Sequence, residues 1–238
     1  MTEALDYHEL TGEGTAPKKK PYARYDEVRI PLPNRFLVVG SSGSGKTVLL
    51  RNALRHMNAW SRFLLFVKQP DEPLYESLID MLREVEAKTG QEILTVSSDL
   101  EELPELDDID ERYPTVLILD DMVLEDKKAQ ARMAAFFIRG RKKNVSAFYL
   151  SQSYFNTPKL IRQNADVLLL KKLTQRDLRL VLSEFSVDLD MAQLLELYRS
   201  SGAATDIRRW LTIDSSPGQP AELRYRHNWA PVGPSESD

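Results

Sequence analysis

The sequence predicts an α/β protein built on a doubly wound, mostly parallel sheet, and three observations predict it. Short apolar runs alternate with helical stretches from residue 36 to residue 201. One run, Val116-Leu117-Ile118-Leu119, carries no polar side chain at all, as a central parallel strand buried on both faces should. A glycine-rich turn, Gly40-Ser41-Ser42-Gly43-Ser44-Gly45, joins the first run to the first helix. Strands alternating with helices pair in parallel through right-handed crossovers and bind ligands at their C-terminal edge.

Taken in order, residues 1–30 read as an arm. Thr11-Gly12-Glu13-Gly14-Thr15-Ala16-Pro17 is turn-forming, and Lys18-Lys19-Lys20-Pro21 is basic and extended. Strands are predicted at 36–39, 63–67, 92–96, 115–119, 146–150, 167–171 and 209–213. The best-punctuated helix opens on Pro73, runs through Leu74, Leu78, Met81, Leu82 and Val85, and stops at Gly90. Others are predicted at 127–140, 175–185 and 188–201. The segment from 215 onward, rich in proline and glycine and ending in Ser-Glu-Ser-Asp, reads as a tail docked through Tyr225 and Trp229. The expected organisation is therefore an arm (1–30), one α/β domain (31–214) and a tail (215–238), with no internal repeat.

Composition bounds the function. The 238 residues are 42% hydrophobic and 29% charged, ordinary for a globular chain. There is no cysteine, so neither a disulfide framework nor a zinc ribbon is available, and His8, His56 and His227 are scattered. No run approaches 18 uninterrupted apolar residues and no signal peptide opens the chain, so a soluble, non-exported protein without membrane association is expected. The net charge of −4 hides a segregation: residues 99–111 hold eight carboxylates, while Lys127, Lys128, Arg132, Arg139, Arg141, Lys142 and Lys143 follow. An acidic average does not exclude a nucleic-acid surface, because binding follows local potential.

The chemistry lies at predicted strand ends. Gly40 to Thr47 matches G-x-x-x-x-G-K-[ST], the Walker A phosphate loop, with a strand before it and a helix after it. Its glycines let backbone N–H groups turn inward as an anion nest, and the helix that follows aims its positive end at the same point. Lys46 would reach the β- and γ-phosphates of ATP, and the Thr47 hydroxyl would ligate Mg²⁺. Asp120-Asp121 ends the apolar 115–119 run in the manner of a Walker B strand. Asp120 would hold Mg²⁺ and Asp121 would orient or deprotonate the attacking water. A later run, Ala147-Phe148-Tyr149-Leu150, delivers Ser151 and Gln152 to the same edge, where Gln152 can sense the γ-phosphate. Just before it stands Arg139-Gly140-Arg141-Lys142-Lys143, able to stabilise a transferring phosphoryl group in trans or to contact a nucleic-acid backbone. Tyr7, Tyr22 and Tyr25 beside Lys18, Lys19 and Lys20 offer stacking and phosphate pairing, or docking on a neighbouring protein.

The order phosphate loop, Asp-Asp strand, Arg-Gly-Arg, Ser-Gln strand resembles the FtsK–HerA superfamily of DNA-pumping ATPases, and within it the poxvirus-type virion-packaging ATPases. Gln69-Pro70-Asp71-Glu72, Tyr149-Leu150-Ser151-Gln152-Ser153-Tyr154 and Pro158…Ile161-Arg162…Asn164 are further family-like details, and the similarity spans residues 34–185. The resemblance implies a RecA/FtsK-like P-loop core and ATP-driven translocation of double-stranded DNA into a preformed capsid. It further implies a homo-oligomeric ring, pentamer or hexamer, a capsid or portal protein as partner, and action in the host cell where virions assemble, with retention in the virion. By the same analogy Arg141, or else Arg139, is the finger inserted into a neighbour's site, with Arg162 in reserve. Pro33-Asn34-Arg35-Phe36 departs from the family's apolar-Pro-Phe lead-in, and no nuclease-like acidic cluster follows Asp214.

Three other readings share parts of this pattern. A nucleotide or small-molecule kinase has the phosphate loop and needs an arginine-bearing lid, for which residues 139–143 are available. Its chemistry fits the Asp-Asp and Ser-Gln strand ends less well than hydrolysis does. A GTPase lacks its guanine-reading lysine at Thr174-Gln175-Arg176-Asp177 and its switch glycine after Asp120. An ATP-binding assembly protein without DNA translocation would look the same in sequence.

Overall fold

The computed structural model describes residues 22–122, 126–185 and 188–232, so Tyr7, His8 and Lys18, Lys19 and Lys20 of the expected arm lie outside the described residues. The strands are β1 (Arg35–Val39), β2 (Arg62–Val67), β3 (Leu94–Ser97), β4 (Thr115–Asp120), β5 (Val145–Ser151), β6 (Val167–Leu170), β7 (Leu211–Asp214), β8 (Tyr225–His227) and β9 (Ala230–Pro231). The helices are α1 (Tyr25–Val28), α2 (Lys46–Met57), α3 (Pro73–Thr89), α4 (Lys127–Arg139), α5 (Lys159–Asn164), α6 (Gln175–Phe185) and α7 (Met191–Ser200). Among the described residues the strands form one sheet in the order β3-β2-β4-β5-β1-β6-β7-β8-β9. The six from β3 to β6 pair in parallel, and β7, β8 and β9 add antiparallel. No helix among the described residues is long and apolar enough to cross a membrane.

The period of two along each strand builds two cores. Leu37, Val39, Leu117, Leu119, Ala147 and Tyr149 face one side, against Phe136 and Phe137 of α4 and Val181 and Leu182 of α6. Phe36, Val38, Val116, Ile118, Phe148 and Leu150 face the other, against Leu49, Leu50 and Ala53 of α2 and Leu78 and Leu82 of α3. With both faces covered, the strand interiors are apolar in unbroken runs, and buried polar positions such as Arg35, Thr115 and Ser146 lie at strand starts. Local signals set the helix ends: Pro73 at the first turn of α3, left-handed Gly90 after its last, and a capping box from Asp190 and Gln193 on α7.

Both ends of the expected domain extend further than the sequence suggested. Residues 22–30, read as arm, contribute α1 and the buried Val28 and Ile30. Residues 215–232, read as tail, contribute two strands, with Tyr225 and Trp229 buried as expected. The reason is a buried ion pair. Arg226 and Asp214, both with 0% side-chain exposure, meet at 2.7 Å. Arg226 also donates from Nε to the Leu223 carbonyl at 2.7 Å and from its other nitrogens to the carbonyls of Val28 and Arg29. Gln219 Nε2 joins, donating to Asp214 Oδ2 and to the Arg29 carbonyl, each at 2.7 Å. The knot ties β7, β8 and the N-terminal segment into one body, and Trp229 Nε1 then reaches Asn52 of α2 at 2.8 Å.

The acidic run of residues 99–111 also acquires a partner. Leu100, Leu103 and Leu106 are buried at every third position, leaving the carboxylates outward. Arg132 donates to the carbonyls of Leu100, Glu101 and Leu103 and pairs with Glu105 at 3.2 Å, while Arg139 lies 3.9 Å from Asp107. Part of the basic run therefore balances the acidic one within the chain.

Removing one partner of a buried pair leaves an uncompensated charge. Arg226→Met is expected to lower unfolding stability by about 3–5 kcal/mol, read as a shift of the urea midpoint at unchanged slope.

Candidate functional site

The site is assembled where β1, β4 and β5 end. Val39 pairs with Ser151 and Leu170, while Asp120 pairs with Val67 and Leu150, so the residues after these positions come level at one edge. Gly40 N donates to Ser151 O at 3.1 Å and Ser41 N to Lys172 O at 2.8 Å, hanging the phosphate loop between β5 and β6. Gly43 and Gly45 have φ of 68° and 89°, the left-handed values that turn amides inward. At Gly40 a Cβ would stand 2.5 Å from both Lys171 Cβ and Ser44 Oγ, so only glycine fits. The Ser44 hydroxyl is buried and has no hydrogen-bond partner among the described residues. Lys46 Nζ lies back over the loop, donating to the Gly40 carbonyl at 2.9 Å.

The carboxylates stand across from it. Burial pushes the Asp120 carboxyl up; the Tyr75 hydroxyl, which donates to Asp120 Oδ2, and the Lys46 ammonium oppose that rise. Lys46 is itself lowered by burial, and Asp120, Asp121 and Glu72 counteract the effect. Tyr75 is pushed far up by burial and by Asp120, while Thr47 beside it opposes that rise. One phenol thus stands beside both residues expected to hold Mg²⁺. A hydroxyl and a half-buried carboxylate on either side of one phenol are the hard oxygen ligands such a cation takes, so the residues fit it. Asp121 has φ of 59°, a left-handed conformation that costs a non-glycine residue on the order of 1–3 kcal/mol. This turns its exposed carboxylate toward Gln152, whose Nε2 lies 3.5 Å from Oδ2.

The structure therefore brings Lys46, Thr47, Asp120, Asp121 and Gln152 together. Ser151 instead spends its hydroxyl on the Ser153 carbonyl at 2.9 Å. Sequence reasoning missed Glu72 and Tyr75. Their signal was available: Gln69-Pro70-Asp71-Glu72 follows β2, and β2 neighbours the Asp-Asp strand.

Arg139 and Arg141 lie elsewhere. They precede β5, at the N-terminal edge of the sheet, roughly 20 Å of strand away from the phosphate loop of their own chain. Arg141 is 3.5 Å from Asp166, which Arg35 also holds in a two-pronged bridge at 2.6 and 2.7 Å. Arg141 and Lys142 line a cleft of about 740 Å³ with Tyr22, Tyr25 and Trp60. Arg162 stacks over Tyr154, 5.0 Å from the ring centre, and donates to its carbonyl. As a lid over its own nucleotide, residues 139–143 are at the wrong edge.

The family model of the Poxvirus A32 protein matches residues 24–216. The chain belongs to that family. The resemblance to poxvirus-type packaging ATPases is borne out, and the chain is an ATPase with a nucleotide-binding site. No curated protein matches it in sequence. Among solved structures it is similar to the genome packaging NTPase B204 from Sulfolobus turreted icosahedral virus 2. The complex with ATP-gammaS has a TM-score of 0.56 and 16% identity over 85% of this chain and 100% of that one. The complex with sulfate has a TM-score of 0.57 and 14% identity over 86% and 100%. VirB4 of Thermoanaerobacter pseudethanolicus has a TM-score of 0.50 and 13% identity over 85% and 90%. At such identities the likeness establishes the fold, a P-loop NTPase of the RecA/FtsK-like kind.

In this A32-family chain Asp121→Asn keeps a side chain that tolerates the left-handed backbone but cannot take a proton. ATP affinity should stay near the wild-type value while steady-state hydrolysis falls by about 100-fold or more. Normal turnover would remove Asp121 from the role of base.

Proposed function

We propose that this ATPase is a motor that translocates double-stranded DNA and packages a viral genome into a preformed capsid. The A32-family match carries the reading, because it covers the phosphate loop, the Asp-Asp strand, the Arg-Gly-Arg turn and the Ser-Gln strand as one unit. Likeness to a protein described as a genome packaging NTPase supports it. The position of Arg139 and Arg141 supports a ring, since arginines on the edge opposite their own loop can complete only a neighbour's site. The same position disfavours the kinase, which needs them over its own nucleotide. In this reading the protein acts in the host cell where virions assemble.

The residues divide the work as follows. The loop amides and Lys46 hold the phosphates and neutralise charge that builds during transfer. Thr47 and Asp120 would hold Mg²⁺, which when bound neutralises the β- and γ-phosphate oxygens. Asp121 orients the attacking water and takes its proton. Gln152, bonded to Asp121, registers the change and passes it to the following loop. That loop is tied to α6 through buried Asp177, which accepts from Ser153 Oγ at 3.0 Å and Phe155 N at 2.8 Å.

Steady-state hydrolysis with and without long double-stranded DNA tests the proposal. Stimulation that fades as salt rises is expected, as phosphate contacts require. Unstimulated turnover with phosphate transfer to a nucleotide acceptor would make the protein a kinase. A second test concerns the finger. Mixing inactive Arg141→Ala with inactive Lys46→Ala should restore activity, because about a quarter of random interfaces in a ring join an intact loop to an intact arginine. Pure Arg141→Ala working at the wild-type rate would exclude that residue.

A further inference from the structure

Lys171 is fully buried, and no step above uses it. It follows β6, and its Nζ donates to the carbonyls of Asp206 at 3.3 Å, Ile207 at 2.8 Å and Arg209. Burial lowers its ammonium to about 8, so near neutral pH it still carries the protons these carbonyls accept. The turn it clamps presses on the phosphate loop. A Cβ on Gly45 would stand 2.7 Å from Ile207 O and 3.1 Å from Ile207 Cβ, while the stem of Lys171 fills the space beside Gly40. Both glycines that bound the loop therefore rest on one lysine and the turn it holds.

The turn lies on a definite side. Asp120, Asp121 and Gln152, which receive the γ-phosphate end, stand at the ends of β4 and β5, on one flank of β1. The other flank is β6, from which Lys171 and the 206–209 turn project. A triphosphate seated in the loop with its γ end toward β4 and β5 must leave with its nucleoside on the β6 flank. The aliphatic group it meets there is Ile207, which is 54% exposed although its backbone is locked against Gly45. The Asp206 carboxylate accepts from Arg208 N at 2.7 Å and Arg208 Nε at 3.3 Å, which fixes the shape of the turn.

We propose that the 206–209 turn is the nucleoside shelf of this site: Ile207 supplies the apolar surface under the base, and Lys171 is the positioning residue that holds the shelf against Gly45. The inference rests on the phosphate-loop reading, and the two can fail separately. Calorimetric titration of the full chain with ATPγS and with tripolyphosphate, both with Mg²⁺, distinguishes them. Ile207→Ser, at an exposed position, should weaken ATPγS by about tenfold and leave tripolyphosphate unchanged. Lys171→Met should show the same split, whereas a merely misfolded protein loses both ligands. Equal loss of both ligands in Lys171→Met, with native circular dichroism, would overturn its role as shelf holder. Unchanged ATPγS affinity in Ile207→Ser would overturn the shelf, and a smaller oligomer in that variant would reassign Ile207 to a subunit contact. Wild-type protein that binds neither ligand would overturn the phosphate site and the shelf together.

Discussion

The active edge depends on where β1 stops. Buried between β5 and β6 and covered on both faces, β1 has its register set by two neighbours at once, with Val39 level with Ser151 and Leu170. A slip of one residue would turn Leu37 and Val39 to the wrong core, so the position of Gly40 is held by the packing of the whole sheet. From there the loop has no freedom: its first amides are tied to Ser151 and Lys172, and Gly40 is wedged against Lys171. The anion nest is preorganised by hydrophobic burial on either side of it, at the edge where doubly wound sheets place their ligands.

Charge is buried in this chain at places where segments distant in sequence must be joined. Arg35 and Asp166 tie the start of β1 to the start of β6, and Arg35 also donates to the Phe137 carbonyl of α4 at 2.8 Å. Asp214 and Arg226 bind the late strands to residues 28 and 29. Lys171 joins β6 to the 206–209 turn. Such groups contribute little net energy relative to apolar packing, but an unpaired one is costly, so they exclude alternative arrangements of these segments. At the nucleotide edge the balance is left incomplete. Asp120, Asp121, Glu72 and Lys46 face one another across space in which phosphates and a cation would settle their charges.

The segregated charges illustrate how a linear pattern can mislead. The basic stretch from Lys127 to Lys143 looks like a continuous surface for an anionic polymer. Folded, Arg132, Arg139 and Lys143 lie along the acidic 99–111 run, with Lys143 Nζ 3.1 Å from the Asp107 carbonyl. The two runs hold one another, and Arg141 is drawn aside to Asp166. Arg141, the arginine preferred to act on a neighbour, thus lines an aromatic cleft at the far edge of the sheet.

By itself, the sequence determined the fold class, the seven strands up to Asp214, the phosphate loop and the Asp-Asp pair, because each is written in contiguous residues. An apolar run buried on both faces, a glycine pattern demanded by amides turning inward, and carboxylates at a strand end all have local signatures. Only the tertiary structure decided that residues 215–232 complete the sheet, since the β8 signal is three residues long and its place is fixed by Arg226 meeting Asp214. It likewise decided that Tyr75 stands beside Thr47 and donates to Asp120, that Ile207 lies beside Gly45, and that Arg141 faces away from its own loop. Those are facts of register and crossover, in which side chains far apart along the chain become neighbours only after the sheet has closed around β1.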